Sequence, residues 1–360
     1  MKRLFAGTAA ILAAVLFLSS PAAAISAQKA IMVDGDTGRI LYEKRANEKS
    51  LIASTTKIMT ALLICEQCNV LDRMMVPKEA VGIEGSSIYL QEGEVLTLQD
   101  LLYGMMLHSG NDAATALAIY CGGTVEGFAQ LMNDKARMLK MTDTHFVNPH
   151  GLDAPDHYSS ARDLAILARY AMKNPICAQT VSTKSVRIGN RSLTNHNKLL
   201  WRVDGAEGVK TGYTKAAGRI LVSSAQRQGR RLIVVTIEDG NDWMDHAALY
   251  EQGFASYQPC QIVTKGQILG HLQVFGGAQE EVALVAQEDF VYPLAAGEEP
   301  VIRLSQKTMV FAPVVEDADG GYAYICLGDT PIGKVSLRYD RTVEQQQQQK
   351  ENRWHRWFGE

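Results

Sequence analysis

The stretch IASTTKIMTALL, residues 52–63, sets Ser54 and Lys57 three positions apart at the head of an apolar run. In a helix, positions i and i+3 lie on one face about one turn apart, so this hydroxyl and amine come within hydrogen-bond reach. Two readings follow. Ser54 is a nucleophile activated by Lys57, whose amine acts as a base if burial or a second cation lowers its pKa. Or Ser54 caps a helix and Lys57 is a solvated side chain. Taken alone, the spacing favours the cap, because serine caps helices routinely.

Two further stretches bear on the choice. LHSGNDAATALA, residues 107–118, carries Ser109-Gly110-Asn111 as a polar break between two Ala- and Leu-rich helical patterns, where a turn presents side chains to a cleft. GVKTGYTKAAG, residues 208–218, opens a predicted strand with Lys210-Thr211-Gly212, and a glycine there suits close approach of a substrate to the backbone. S-x-x-K with S-D-N and K-T-G is the motif set of penicillin-binding proteins and class A β-lactamases. Each motif is weak, but a helix cap predicts neither of the other two.

The chain resembles a low-molecular-mass penicillin-binding protein of the serine D-alanyl-D-alanine carboxypeptidase family. The match extends to DGDTGRILYEKRANEKSLIASTTKIMTAL (34–62), NPHGLDAPDHYSSARDLA (148–165), TNHNKLL (194–200) and DGAEGVKTGYT (204–214). It covers about residues 28 to 257, and the segment that follows is similar to the C-terminal domain of the same family. The resemblance implies an α/β (α+β) serine β-lactamase and DD-peptidase-like transpeptidase fold, an antiparallel sheet flanked by helices, followed by a small all-β domain. It implies removal of the terminal D-alanine from peptidoglycan stem pentapeptides through an acyl-enzyme, covalent inhibition by β-lactams, and no metal or cofactor.

Carried over by position, the resemblance makes Ser54 the acylated nucleophile and Lys57 its base. Ser109 relays a proton to the leaving D-alanine and Asn111 contacts the substrate amide. Lys210 and Thr211 hold the terminal carboxylate, and the charge of Lys210 helps to keep Lys57 neutral. Gly212 lets the substrate approach, and the backbone N–H groups of Ser54 and Tyr213 bind the oxyanion. This chain departs from the family at two points. Tyr213 stands where some members carry histidine, and TIEDGNDWMDH (236–246) lacks the arginine with which some relatives bind the carboxylate, leaving Lys210, Thr211 and Arg219 for that task.

Local patterns supply the rest of the frame. AIMVDGDTGRILY (30–42) reads as a hairpin, and helical spacing covers 54–66, 97–120, 125–140 and 160–173, the last opening on Ser160 and Asp163 as a capping box. RILVSSAQ (219–226) and RRLIVVTIE (230–238) read as strands and DWMDHAALYEQGF (242–254) as a final helix. From 261 to 338 short alternating runs and Gly/Pro turns replace helical periodicity, which predicts the all-β domain. The expected organisation is a signal peptide at 1–24, a catalytic domain at 25–258, the β domain at 261–338 and a polar tail at 339–360.

The N-terminus has Lys2 and Arg3, an apolar run from Leu4 to Leu18 and small residues ending at Ala24, the grammar of a cleaved secretory signal. The run is short for a membrane span of roughly 20 residues. Its loss removes two cations and no acid, taking the formal charge from −3 to −5. The mature protein is therefore expected outside the cytoplasm, and its acidity argues against nucleic acid as a partner. Six cysteines, including Cys65-x-x-Cys68, read as ordinary thiols without zinc-site spacing. Trp354 and Trp357 beside Arg353 and Arg356 end the tail, as a peripheral membrane contact or as a frayed end.

Rival readings have their own signatures. A class A β-lactamase needs a glutamate to drive deacylation, and none occurs between Gly127 and Ala206. A DD-endopeptidase differs only in cleft shape, which sequence does not give. A non-catalytic penicillin-binding sensor needs a route across the membrane. His145, His150 and His157 with Asp153 and Asp156 lack H-E-x-x-H spacing, so a structural role for that loop is expected rather than a metal site.

Overall fold

The computed structural model describes residues 25–305 and 308–346. The proposed signal segment 1–24 and the tail tryptophans lie outside the described residues. Strands β1 (Lys29–Asp34), β2 (Ile40–Lys44), β3 (Ala206–Thr214), β4 (Gly218–Arg227) and β5 (Arg230–Ile237) form one antiparallel sheet in the order β2-β1-β5-β4-β3. β4 and β5 are joined by Gln228-Gly229, both at positive φ (49° and 79°), the two-residue turn whose twist matches an antiparallel pair.

Alternation along these strands explains the layers. Ile31, Val33, Val222, Ile233 and Val235 point into the larger core, made with helices α1 (Lys57–Gln67), α2 (Leu98–Leu107), α3 (Asn111–Gly122), α4 (Val125–Met138), α5 (Ala161–Lys173) and α6 (Pro175–Ser182). Their neighbours Ala30, Met32, Leu221, Leu232 and Val234 point the other way, onto Leu199 of α7 (Leu199–Arg202) and onto Leu249 and Tyr250 of α8 (Asp242–Ser256). A sheet apolar on both faces needs a helical cover on each, and the chain supplies both.

The predicted helix over 97–120 is two helices, broken at the expected polar turn. α2 starts with a full capping box between Thr97 and Asp100. α5 has half of one: Ser160 Oγ accepts from the Asp163 N–H at 3.1 Å, while the Asp163 carboxylate accepts from the Asp143 N–H and Thr144 Oγ1. Asp163 therefore anchors the chain before the loop that reaches the active site.

The strand Tyr257–Val263 starts directly after α8 and pairs with Phe290–Ala295, so strands begin slightly before residue 261. A six-stranded sheet follows, in the order Pro300–Leu304, Asp319–Leu327, Thr330–Tyr339, Glu281–Ala286, Ile268–Phe275 and Met309–Phe311. Its pairs are antiparallel except the last. Leu272, Val282, Leu284, Ala323 and Leu337 fill its core.

Candidate active site

Residues Ala53–Thr56 form a single 3-10 turn that runs into α1. Ser54 therefore sits inside the turn, and its hydroxyl caps neither element: the residue before the turn is Ile52 and the N-cap of α1 is Thr56, both without a side-chain cap bond. The Ser54 hydroxyl instead meets Lys57 Nζ at 2.9 Å. Ala53, just ahead, is held at φ 43°, a left-handed conformation that costs energy for a residue with a Cβ.

The loop 145–157 holds that turn from behind. Gly151 packs so closely that a Cβ there would lie 1.9 Å from the Ala53 carbonyl oxygen, so only glycine fits. His157 Nδ1 accepts from the Val147 N–H at 3.1 Å, which leaves Nε2 to donate to Thr56 Oγ1 at 2.7 Å, and Thr56 passes its own proton to the Ala53 carbonyl at 2.8 Å. Burial pushes His157 down to about 4 and His150 down to about 3, so both rings are neutral. Thr60 Oγ1 donates to the Pro149 carbonyl at 2.6 Å. The three histidines of this loop serve its shape, and among the described residues no cluster of three or more His, Cys, Asp or Glu is arranged to hold a metal.

Lys57 is fully buried and has three polar neighbours. Nζ lies 2.7 Å from Asn111 Oδ1, 2.7 Å from the His150 carbonyl and 2.9 Å from Ser54 Oγ. Burial lowers its pKa well below the ordinary 10.5, and the charge of Lys210 lowers it further, against an opposing pull from Asp112. A neutral amine has two hydrogens and one lone pair. Asn111 Oδ1 and the His150 carbonyl can only accept, so they take both hydrogens, and the lone pair is left facing the one partner that can donate, the Ser54 hydroxyl.

Asn111 opens α3, and Ser109 before it is held at φ 64°. The Asn111 side chain donates to the Glu84 carbonyl at 2.5 Å, and its backbone N–H donates to the Ser86 carbonyl at 2.7 Å. Its neighbour Asp112, also buried, accepts from Ser87 Oγ and from the Ile88 and Leu90 N–H groups, pinning the segment 84–90 along the rim. This segment brings Ser86 to the cleft, and no motif marks it in the sequence.

The K-T-G residues lie in the middle of edge strand β3 rather than at its start. Lys210 and Gly212 pair with Val222 and Ile220, so they face the helical core on the α1 side. Lys210 is buried, donates to the Thr211 carbonyl at 2.9 Å and is pushed down by burial to about 7. A Cβ at Gly212 would lie 3.3 Å from the Ser54 nitrogen and 3.2 Å from the Ile52 carbonyl oxygen.

Ser54, Ser109, Thr211, Gly212 and Tyr213 line one cavity of about 360 Å³, with Lys57, Asn111 and Lys210 buried behind its wall. Ser86, His196, Lys198, Arg219, Ile220, Asp242 and Trp243 complete it. Arg219 is bound by both oxygens of buried Asp242 at 2.7 Å, and its guanidinium carbon stands 5.7 Å from the Trp243 ring centroid. His108, next to Ser109, packs on His196 with ring centroids 4.9 Å apart.

Residues 17–241 match the family described as D-alanyl-D-alanine carboxypeptidase, and residues 257–345 match the C-terminal domain of penicillin-binding protein 5. The chain belongs to the D-alanyl-D-alanine carboxypeptidase family. It is 33% identical over 286 residues to the carboxypeptidase DacF of Bacillus subtilis, covering 76% of this chain and 74% of that one. Identity to DacD of Escherichia coli is also 33%, with the same coverage of both chains. The crystal structure of penicillin-binding protein 5 from Haemophilus influenzae superposes with a TM-score of 0.78 at 27% identity, over 89% of this chain and 98% of that one.

Family and architecture agree with the resemblance read from the three motifs: the protein is a serine-type carboxypeptidase of the penicillin-binding class, with a mixed α/β fold followed by a β domain. Within this carboxypeptidase, the eight residues named from the sequence do come together at one cleft. Asp242 and Trp243 lie in TIEDGNDWMDH and Lys198 in TNHNKLL, and no motif spacing in either stretch marks them as cavity residues.

Proposed function

We propose that the cleft removes the terminal D-alanine from peptidoglycan stem pentapeptides through an acyl-enzyme on Ser54. The observation that carries this reading is the set of partners around Lys57, which leaves its lone pair on the Ser54 hydroxyl. Ser54 Oγ attacks the penultimate D-alanine carbonyl while Lys57 takes its proton. The oxyanion lies between the Ser54 and Tyr213 N–H groups, beside the close packing of Gly212 on the turn at Ile52–Ser54. Ser109 passes a proton to the departing D-alanine nitrogen, Asn111 orients the substrate amide, and water then hydrolyses the ester. A β-lactam enters the same route and stays as a covalent adduct.

We assign the substrate's terminal carboxylate to Lys210, Thr211 and Arg219. Asp242 supports the last assignment, because it holds the guanidinium at the cavity wall and leaves its outer edge open, with the Arg219 side chain 42% exposed. The residue ranges 25–258 and 261–338 are taken as catalytic and C-terminal domains. The enzyme works outside the cytoplasm on the strength of the 1–24 leader, and the tail contacts the membrane interface on the strength of Trp354 and Trp357; liposome binding with and without residues 340–360 tests the latter.

Mass spectrometry of muropeptides after incubation with wild type and Ser54→Ala tests the main reading. Loss of one D-alanine from pentapeptides with wild type alone is expected. Unchanged pentapeptides, or trimming by Ser54→Ala, would reject it.

A further inference from the structure

Four of the six cysteines gather at the far end of the helix that carries Ser54's base. Cys65 lies in the last turn of α1 and Cys68 at its C-cap, Cys121 lies in the last turn of α3, and Cys177 lies in the first turn of α6. α1 packs against both α3 and α6. Cys177 Sγ sits 3.6 Å from the carbonyl of Ala61, one turn before Cys65 on the same face of α1, and the neighbouring Cys65 thiol, with burial, pushes the Cys177 thiol up. Cys121 Sγ sits 3.6 Å from Oε1 of Gln67, the neighbour of Cys68, and burial together with the Cys121 thiol pushes the Cys68 thiol up. Each thiol of the C-x-x-C pair thus has its own partner on another helix.

We propose that these are two disulfide sites, Cys65–Cys177 and Cys68–Cys121, which staple the helix bearing Lys57 to the helix bearing Asn111 and to α6. Each closure forms one S–S bond, releases two protons and passes two electrons to an external low-molecular-mass or protein disulfide, which is reduced to two thiols. The thiolate is the attacking species. In the folded chain burial pushes Cys68 and Cys121 up, and the Cys65 thiol with burial pushes Cys177 up, which disfavours the attacking thiolate there, so closure is placed at the folding stage. The structure holds all six cysteines as free thiols, and the proposal leaves Cys260 and Cys326, in the β region, unpaired. Closing loops of 53 and 112 residues constrains the unfolded chain, which raises Tm.

The test uses the purified full chain, refolded in a glutathione redox buffer, then denatured and alkylated with and without prior reduction. Two labels without reduction and six with it are expected, and cleavage after Glu66, which separates Cys65 from Cys68, should yield the 65–177 and 68–121 cross-links. Reductant should lower Tm by about 5 °C or more. Cys121→Ser should show three labels, with 65–177 intact. Six labels without reduction, a 65–68 linkage, or a Tm indifferent to reductant would overturn the proposal.

Discussion

Lys57 Nζ stands 2.9 Å from Ser54 Oγ, and its two other polar neighbours, Asn111 Oδ1 and the His150 carbonyl, are acceptors with no proton to give. A protonated lysine would satisfy all three as a donor. Burial and Lys210 disfavour that form, so the geometry reverses at Ser54 and the hydroxyl becomes the donor. Burial and the charge of Lys210 select the neutral form, which is what a general base requires.

Lys210 sets a limit on the alkaline side. Its cationic form is the one proposed to hold the substrate carboxylate, and burial brings its pKa down to about 7 in the free protein. kcat/KM for a D-Ala-D-Ala peptide should therefore fall above about pH 7, while kcat, measured with the carboxylate bound and raising the Lys210 pKa, should hold to higher pH. A rate study in both regimes checks this. Coincident alkaline limbs would contradict it.

Gly212→Ala places a methyl group 3.2 Å from the Ile52 carbonyl oxygen and 3.3 Å from the Ser54 nitrogen, so strand and turn must part where the two proposed oxyanion donors meet. Acylation by a β-lactam should slow by about 10² to 10³-fold, with the fold unchanged by circular dichroism. A variant that acylates at the wild-type rate would move the oxyanion elsewhere.

Arg219→Gln removes the charged contact proposed for the substrate carboxylate but nothing that touches Ser54. KM for the peptide should rise by roughly tenfold or more, the scale of one hydrogen bond to a charged group, with kcat less affected. Asp242→Asn should give a smaller effect in the same direction by loosening the guanidinium. Steady-state kinetics of both variants checks the pair, and an unchanged KM in Arg219→Gln would remove it from the subsite.

What the sequence revealed, and what it hid, follows from locality. Ser54, Lys57, Ser109, Asn111 and Lys210-Thr211-Gly212 sit in short motifs whose spacing is itself the chemical requirement. The sheet was legible where alternation and turns are strong, as in β4 and β5 around Gln228-Gly229. The cap reading of Ser54 failed because the apolar run hides a 3-10 turn at strained Ala53, a feature that periodicity does not encode. Arg219 and Asp242 lie 23 residues apart and meet only because β4 and α8 pack together, so no window shows them as one unit. The His150 carbonyl on Lys57 is backbone, and leaves no trace in residue identity.

Acid should destabilise the fold through buried neutral histidines. His246 is fully enclosed, bonded to Ser223 and Thr236, and burial lowers it to about 3. The unfolded chain binds this proton below about pH 6.5 and the folded chain does not, so stability falls as pH drops through that window, by at most about 1.4 kcal/mol per pH unit for this one group. Urea unfolding at several pH values should show a shallower pH slope for His246→Gln than for wild type. Equal slopes would assign the acid sensitivity to other groups.

The central claim is that Ser54 is acylated with neutral Lys57 as its base. Its most direct measurement is the rate of penicillin adduct formation by intact-protein mass from about pH 5 to about pH 10, with the modified peptide mapped, for wild type, Ser54→Ala and Lys57→Met. The adduct should map to Ser54, be absent in Ser54→Ala, form about 10² to 10⁴-fold more slowly in Lys57→Met, and reach its plateau well below the ordinary lysine value of 10.5. An adduct that persists in Ser54→Ala, or a rate still climbing toward 10.5, would contradict the account.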